Sequence, residues 1–532
     1  MSPQNGRYTA ARPLRLAEDW NCERLTQPSR LFGANGIRTG PDGRIYVAQV
    51  SGSQISAIDV ATGQVEAFSP MGAEIVGPDD LVFDPQGNLY ATEITEGRVS
   101  MRAPNGRVRV IQGDMPSANP ITFHQGRLYA GECRVGGRIM ELDLDGGSPR
   151  VLLDNVPMPN AMEVGPDGKL YFPVMATNEI WRVDLAGGKP ETVAKDLGVP
   201  DSVKFDPKGH IVSTQVASGQ VLRVDPRSGE RSVLATIAPG LDNLTFVGER
   251  LFVSSISGQV NEILPGGQLR SLVPDGFNFP LGVAVDADGA IFVADGPYAY
   301  SLRPGGRPQV AGMLFTPGFP GYCRGVAASG PGELLVTTGA GAVVCYRAAK
   351  GESEVLAQGF DQLYGVAAAR GGGAVFAELG GGRVLAVRSG TVETLAVGLQ
   401  QPMGVAVAAD GACFVSESGG GRVVKISGGR AATVLDGLGR PHGIALHNDL
   451  LYVVDTAAKE VVEYNITRGS RRAIASNLPV GAPAGVTPKL LRGILGFCGP
   501  MGPFAGLAAG SDGTVYLSAD AEGSVLALKH RA

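Results

Sequence analysis

Short apolar stretches of alternating character recur along the whole chain, each running through a polar turn into a second apolar stretch. The copies read NGIRTGPDGRIYVAQ from Asn35, DDLVFDPQGNLYATE from Asp79, NPITFHQGRLYAGE from Asn119, NAMEVGPDGKLYFPV from Asn160, DSVKFDPKGHIVSTQ from Asp201 and DNLTFVGERLFVSS from Asp242. Six more begin at Leu281, Arg324, Tyr364, Met403, His442 and Ala505. Period-two alternation predicts strands, and the D-x-x-G turns between them, which tolerate positive φ, predict hairpins. A G-x-V stretch such as GQVLRVDP and a closing stretch such as RSVLATI follow, giving four strands per copy. Successive starts lie 39 to 44 residues apart, except for 63 before the last copy. A period of about 40 residues is that of a four-stranded propeller blade.

Twelve blades in one ring would leave a wide, poorly filled axis, whereas six close tightly. The expected fold is therefore all-β, two six-bladed β-propellers in tandem, with residues 1–270 forming the first and 271–532 the second. The first six copies open with Asn or Asp. Copies seven to eleven open with varied residues followed by Gly and Val or Ile. The long final interval holds an insertion at about 478–503, expected to cross a propeller face as a lid or partner contact, or to pack as a strut.

The residue opening each inner strand stands where the chain drops from the rim into the tunnel, so six of them face one another. In the first half they are Asn35, Asp79, Asn119, Asn160, Asp201 and Asp242. Three carboxylates and three amides around a narrow axis repel unless a cation offsets the charge. All-oxygen ligation suits Ca²⁺ first, then Mg²⁺ or Mn²⁺, more than Zn²⁺, and the first-half histidines, His124 and His210, are not ring positions. The competing reading is that Asx residues serve the local turn. The second half builds the same corner without Asx, so the corner itself does not require it. There Arg324, Tyr364 and His442 form either a small anion or aromatic site or a set of ordinary rim residues.

The residues closing the second strands return to the same face. Among them Glu93 and Glu132 are candidate proton acceptors or extra ligands, or else structural partners of Arg98 and Arg134. Asp295, Glu378, Glu417 and Asp455 occupy the matching place in the second half and read as structural.

Composition narrows the function classes. There are 78 Gly and 36 Pro with 18% charged residues, the signature of many tight turns. A net charge of -5 with scattered basic residues gives no footprint for nucleic acid or a membrane surface. The six cysteines lack C-x-x-C spacing, and no secretory leader or run of about 18 apolar residues is visible, which predicts a cytoplasmic protein acting on a small molecule. No G-x-S-x-G elbow signals a covalent nucleophile.

The elements PNAM at Pro159 and PDSV at Pro200, one repeat apart, resemble the senescence marker protein and gluconolactonase family. That six-bladed superfamily also holds strictosidine synthase and paraoxonase-like lactonases. The resemblance implies a divalent metal at the axis, held by a first-blade Glu, an Asn and an Asp. Asn160 matches the metal-binding Asn, Asp201 the metal-binding Asp that also serves as catalytic base, and Asn119 a substrate-side Asn. Asp242 completes the expected metal set, with Asn35 and Asp79 facing substrate. The sequence departs from the family in placing Asn35 where the Glu is expected, and in lacking the Gly after PN and PD. VADGPYAY and AELGGGRV resemble NHL-type repeats. Three functions follow: a metal-dependent lactone or ester hydrolase, a lyase, isomerase or condensing enzyme in the same pocket, or a non-enzymatic scaffold with the second propeller as its contact surface.

Overall fold

The computed structural model describes Arg7 and residues 13–531. It contains twelve antiparallel sheets in which consecutive strands pair in chain order from the axis outward, as in Pro78–Phe83, Leu89–Glu93, Arg98–Arg102 and Val108–Gln112. We number these sheets blades 1 to 12. The chain divides into two compact units, Arg30–Asn278 with Leu491–Gly496, and Met1–Ser29 with Phe279–Leu490 and Phe497–Ala532. Each unit holds six sheets, so each is a six-bladed propeller. No helix of the described residues is long and apolar enough to cross a membrane.

The second strand of a blade is flanked by sheet on both sides and sandwiched between neighbouring blades. In Ile45–Gln49, Leu89–Glu93, Ile211–Gln215 and Cys413–Glu417 every residue is therefore buried. Outer strands such as Thr391–Ala396 are largely exposed. The core is a set of wedges between blades. Tyr46, Ala48, Ile55 and Ala57 of blade 1 pack on Leu81, Leu89 and Ala91 of blade 2. Phe252, Val260 and Val273 of blade 6 pack on Ile37 and Val47, closing the first ring.

A hydroxyl near the end of the second strand ties neighbouring inner strands together. Ser254 Oγ accepts the Asn243 N–H at 3.0 Å and donates to the Asn35 carbonyl at 2.7 Å. Thr337 takes the Gly325 N–H at 2.8 Å and donates to the Tyr364 carbonyl at 2.5 Å. Thr214, Ser416 and Ser518 repeat the relay to Asp242, His442 and Leu281. In the second propeller the backbones meet so closely that a Cβ on Gly282, Gly325, Gly365, Gly404, Gly443 or Gly506 would come no more than 2.8 Å from an adjoining blade's carbonyl.

The first compact unit runs from Arg30 to Asn278, and the described residues before Arg30 fall in the second unit. Trp20–Arg24 pairs with Ser524–His530 and is the outer strand of blade 12. Trp20 is fully buried, with its ring 4.3 Å from that of His530, and Arg24 forks onto Glu522 at 2.8 and 3.0 Å. Trp20→Ala should cost about 3–5 kcal/mol, and Ser518→Ala, which removes the hydroxyl bridge while the Gly506 N–H keeps its direct bond to the Leu281 carbonyl at 3.0 Å, only about 0.5–1.5 kcal/mol. Calorimetric melting checks both. A Trp20→Ala protein that melts like wild type would show that the closing strand contributes nothing.

Candidate functional site

Each ring residue is aimed by a sharp corner. The residue two positions earlier has positive φ at Gly77, Ser117, Met158, Val199 and Gly240. Val199, β-branched and at φ 61°, is an outlier of the kind that survives only where the surroundings impose it. A register shift then opens the inner strand, between Pro78 and Leu81, Ala118 and Ile121, Pro200 and Val203, and Leu241 and Leu244. Such bulges re-aim a side chain. Here they turn the Asx residue into the mouth of the tunnel.

The first ring's Asx side chains join into two arcs. Asn119 Nδ2 donates to Asn160 Oδ1 at 2.8 Å, and Asn160 Nδ2 donates to Asp201 Oδ2 at 2.9 Å and faces Met175 Sδ at 3.1 Å. Across the axis, Asn35 Nδ2 donates to Asp242 Oδ2 at 3.3 Å, while Asn35 Oδ1 accepts the Val50 N–H at 3.2 Å. Asp79 is buried, and its charge acts on both Asp201 and Asp242. The buried Oδ1 of Asn119 has no hydrogen-bond partner.

Beneath the ring, Asn243 Nδ2 donates to Asp80 Oδ1 at 3.4 Å and Ser202 Oγ donates to Asn243 Oδ1 at 2.7 Å. Deeper still, Arg38 Nη1 and Lys204 Nζ reach Glu163 Oε2 at 2.9 and 2.6 Å. Arg38 also donates to the Leu81 and Ile121 carbonyls. Four buried aspartates thus face two cations already shared with a glutamate.

Burial, then the charge of Asp80, pushes the Asp79 carboxyl from its ordinary 3.8 up to about 7. Burial and the neighbouring aspartates push Asp201 and Asp242 well upward too, the Asn35 hydrogen bond partly opposing this at Asp242. Arg38 and Lys204 moderate the burial-driven rise at Asp80. Among the described residues no three His, Cys, Asp or Glu side chains are grouped to hold a metal ion by themselves. A cation here would draw on amide oxygens as well. Asp201, Asp242 and the unsatisfied Asn119 Oδ1 offer the oxygen donors a hard cation takes, and Asn160 Oδ1, which accepts from both Asn119 and Ala161, would exchange the Asn119 bond for the cation.

Glu93 and Glu132 do not enter these arcs. Glu93 accepts from Arg98 at 2.9 and 2.7 Å, from the Val76 N–H at 2.7 Å and from Ser100. Glu132 is clasped by Arg134 and Arg138. The same lock recurs in the second propeller, where Glu378 takes the Asp361 N–H and Arg383, and Glu417 the Gln400 N–H and Arg422. Gln215 and Gln49 take the equivalent loop N–H at Gly198 and Phe32. The position secures the loop that leads into each blade.

Sequence reasoning passed over Asp80, Arg38, Glu163 and Lys204, although they recur one and three positions after ring residues. It also passed over Met175 and Cys133, each immediately after a second strand. The Cys133 thiol is pushed up by burial and by the charges of Asp79, Asp201 and Asp242, which places it beside the ring.

In the second propeller, part of the insertion fills the axis. Phe504 packs with Leu281, Tyr364 and Met403, and its backbone neighbour Ala505 donates to His442 Nδ1 at 3.3 Å. A small space of about 30 Å³ remains, lined by the six glycines, the apolar residue that follows each of them, and Phe504.

The first structural unit is thus a six-bladed propeller with a polar axial ring. Residues 8–257 match the SMP-30/gluconolactonase/LRE-like region. Gluconolactonase of Zymomonas mobilis is 29% identical over 172 residues, 26% of this chain and 48% of the relative, so the chain spans about half the length of that curated relative. Among solved structures, a streptogramin B lyase is 18% identical with a TM-score of 0.39, covering 52% of this chain and 94% of its own. Virginiamycin B lyase from Staphylococcus aureus is 17% identical, TM-score 0.38, covering 53% and 96%. A putative gluconolactonase is 17% identical, TM-score 0.39, covering 49% and 95%.

The raised carboxyls carry a signed prediction. A carboxyl whose pKa is higher folded than unfolded contributes stability that is complete below its unfolded value and is lost as pH rises through its folded value. For Asp79 that window runs from 3.8 to about 7, and Asp201 and Asp242 act in the same direction. Chelated protein should therefore lose this contribution as pH climbs from about 4 to 7, and Ca²⁺ should raise the melting temperature more at pH 7.5 than at pH 4.5. Equal Ca²⁺ shifts at both pH values would remove the ring from the explanation.

Proposed function

We propose that the first propeller hydrolyses a lactone or related ester at its Asx ring, with a divalent cation, calcium before magnesium, manganese or zinc, held by Asn160, Asp201 and Asp242. The supporting observation is the continuous Asn119–Asn160–Asp201 arc lying inside the gluconolactonase-like region. Where the family resemblance expects a glutamate, this chain has Asn35. The carboxylate of that sector comes instead from its partner, Asp242.

When bound, the cation supplies a Lewis acid that polarises the acyl carbonyl and acidifies nearby water. The side chains do the rest. Asn160 Oδ1 accepts the Ala161 N–H at 2.8 Å, which fixes the amide so that Nδ2 must point at Asp201. One Asp201 oxygen is thereby engaged and the other is left for the proton of the attacking water. Water adds to the acyl carbon while Asp201 accepts its proton. The acyl–oxygen bond of the ring then breaks, and the proton passes to the departing alkoxide, leaving a hydroxy acid. Asn119, Asn35 and Asp79 supply the polar groups that orient the substrate. Glu93 and Glu132, locked to arginines, take no part in the chemistry.

Asp201→Asn should lower kcat on a panel of δ- and γ-lactones by about 100-fold or more, while the melting curve stays cooperative. Opening in ¹⁸O-labelled water should place one label in the product carboxyl, which an eliminating lyase would not do. Calcium-saturated wild type inert across the panel, or an Asp201→Asn enzyme of undiminished rate, would refute the proposal.

A further inference from the structure

The axis of the second propeller holds a buried cation that no carboxylate neutralises among the described residues. Arg324 opens the inner strand of blade 8 and is 1% exposed. Its Nη1 and Nη2 donate to the carbonyls of Pro500 at 2.9 Å and Gly502 at 3.1 Å, and its guanidinium lies 4.2 Å over the Tyr364 ring. The Nε–H is buried without a hydrogen-bond partner. Burying a guanidinium against neutral acceptors is costly. Ring closure does not require it, because Leu281, Met403 and Ala505 occupy the same position in other blades with apolar side chains.

The contacts have the form of a ligand complex. A guanidinium fork is matched to the two oxygens of one carboxylate, and here two carbonyl oxygens of the insertion stand in that place. Next to them the Phe504 ring lies edge-on to Tyr364, at 5.8 Å and 62°, and nearly parallel to His442, at 6.1 Å and 23°. The backbone is trimmed to fit. A Cβ at Gly502 would stand 2.8 Å from Tyr364 Oη, and one at Gly499 2.5 Å from the Gly339 carbonyl. The segment thus offers a pair of oxygens and an aromatic ring to an arginine, a tyrosine and a histidine.

We propose that the second propeller's axis is a binding site for a small aromatic carboxylate, and that the Cys498–Phe504 segment occupies it as an internal mimic of that ligand. An incoming carboxylate would give the Arg324 fork a full negative charge in place of two dipoles and would displace the segment.

The test is a titration of the full-length protein at pH 7.5 with 4-fluorophenylacetate, read by ¹⁹F NMR and by amide hydrogen exchange over residues 499–505. Binding should saturate and should speed exchange in that segment by about tenfold or more, since the segment must leave for the ligand to enter. 4-Fluorobenzyl alcohol, which keeps the ring and lacks the carboxylate, should do neither, and Arg324→Met should abolish both responses. Phe504→Ala should bind about tenfold more tightly than wild type, because its internal competitor is weakened. Wild-type exchange that stays unchanged up to the solubility limit of the ligand overturns the proposal, whether or not Phe504→Ala folds. Undiminished binding by Arg324→Met overturns it equally.

Discussion

Each propeller depends on how near six inner strands can come to a common axis. That approach is fixed by backbone polar groups that must be satisfied in the dry centre, and by hydroxyls such as Ser254, Thr337 and Ser518, which take an N–H from their own blade and give a proton to the next one's carbonyl. Where the residue after the ring position is glycine in all six blades, as in the second propeller, the bore narrows to a space of about 30 Å³. Where that residue is Asp80, Ser202 or Asn243, the first propeller carries side chains into its axis and becomes a place where charge can be organised.

The two rings solve the same steric problem with opposite consequences. The first gathers acidic and amide oxygens and must manage their repulsion through protons, through Arg38 and Lys204, or through a cation. The second gathers apolar and aromatic side chains around the Arg324 guanidinium, which no carboxylate neutralises among the described residues, and sets part of its own insertion against it. Duplicated architecture therefore does not imply duplicated chemistry.

Much of this was legible in the sequence, because blade repeats expose their own register. Aligning the copies placed Asn119, Asn160 and Asp201 at one structural height, and hydrogen bonds join them. The sequence also offered Arg98 and Arg134 as structural partners of Glu93 and Glu132, and both pairs form, whereas Arg138, which clasps Glu132 from the next strand, acts through pairing geometry that spacing does not display. Nor could it show that Trp20–Arg24 completes blade 12, because a lone strand far from its partner carries no repeat signal. The insertion read as something crossing a face. That it supplies Phe504 to an axis depends on tertiary fit alone.

The pairing of Trp20–Arg24 with Ser524–His530 also bears on synthesis. A ribosome delivers Trp20–Arg24 long before Ser524–His530, so the early segment must wait while every intervening blade is made. The Arg30–Asn278 ring, whose closure needs only its own residues, can be complete long before then. Contacts between such distant stretches are slow to form and leave an unpaired edge in the meantime. Assembly of blade 12 is thus a step at which a nascent chain stands open to stray pairing and to chaperones.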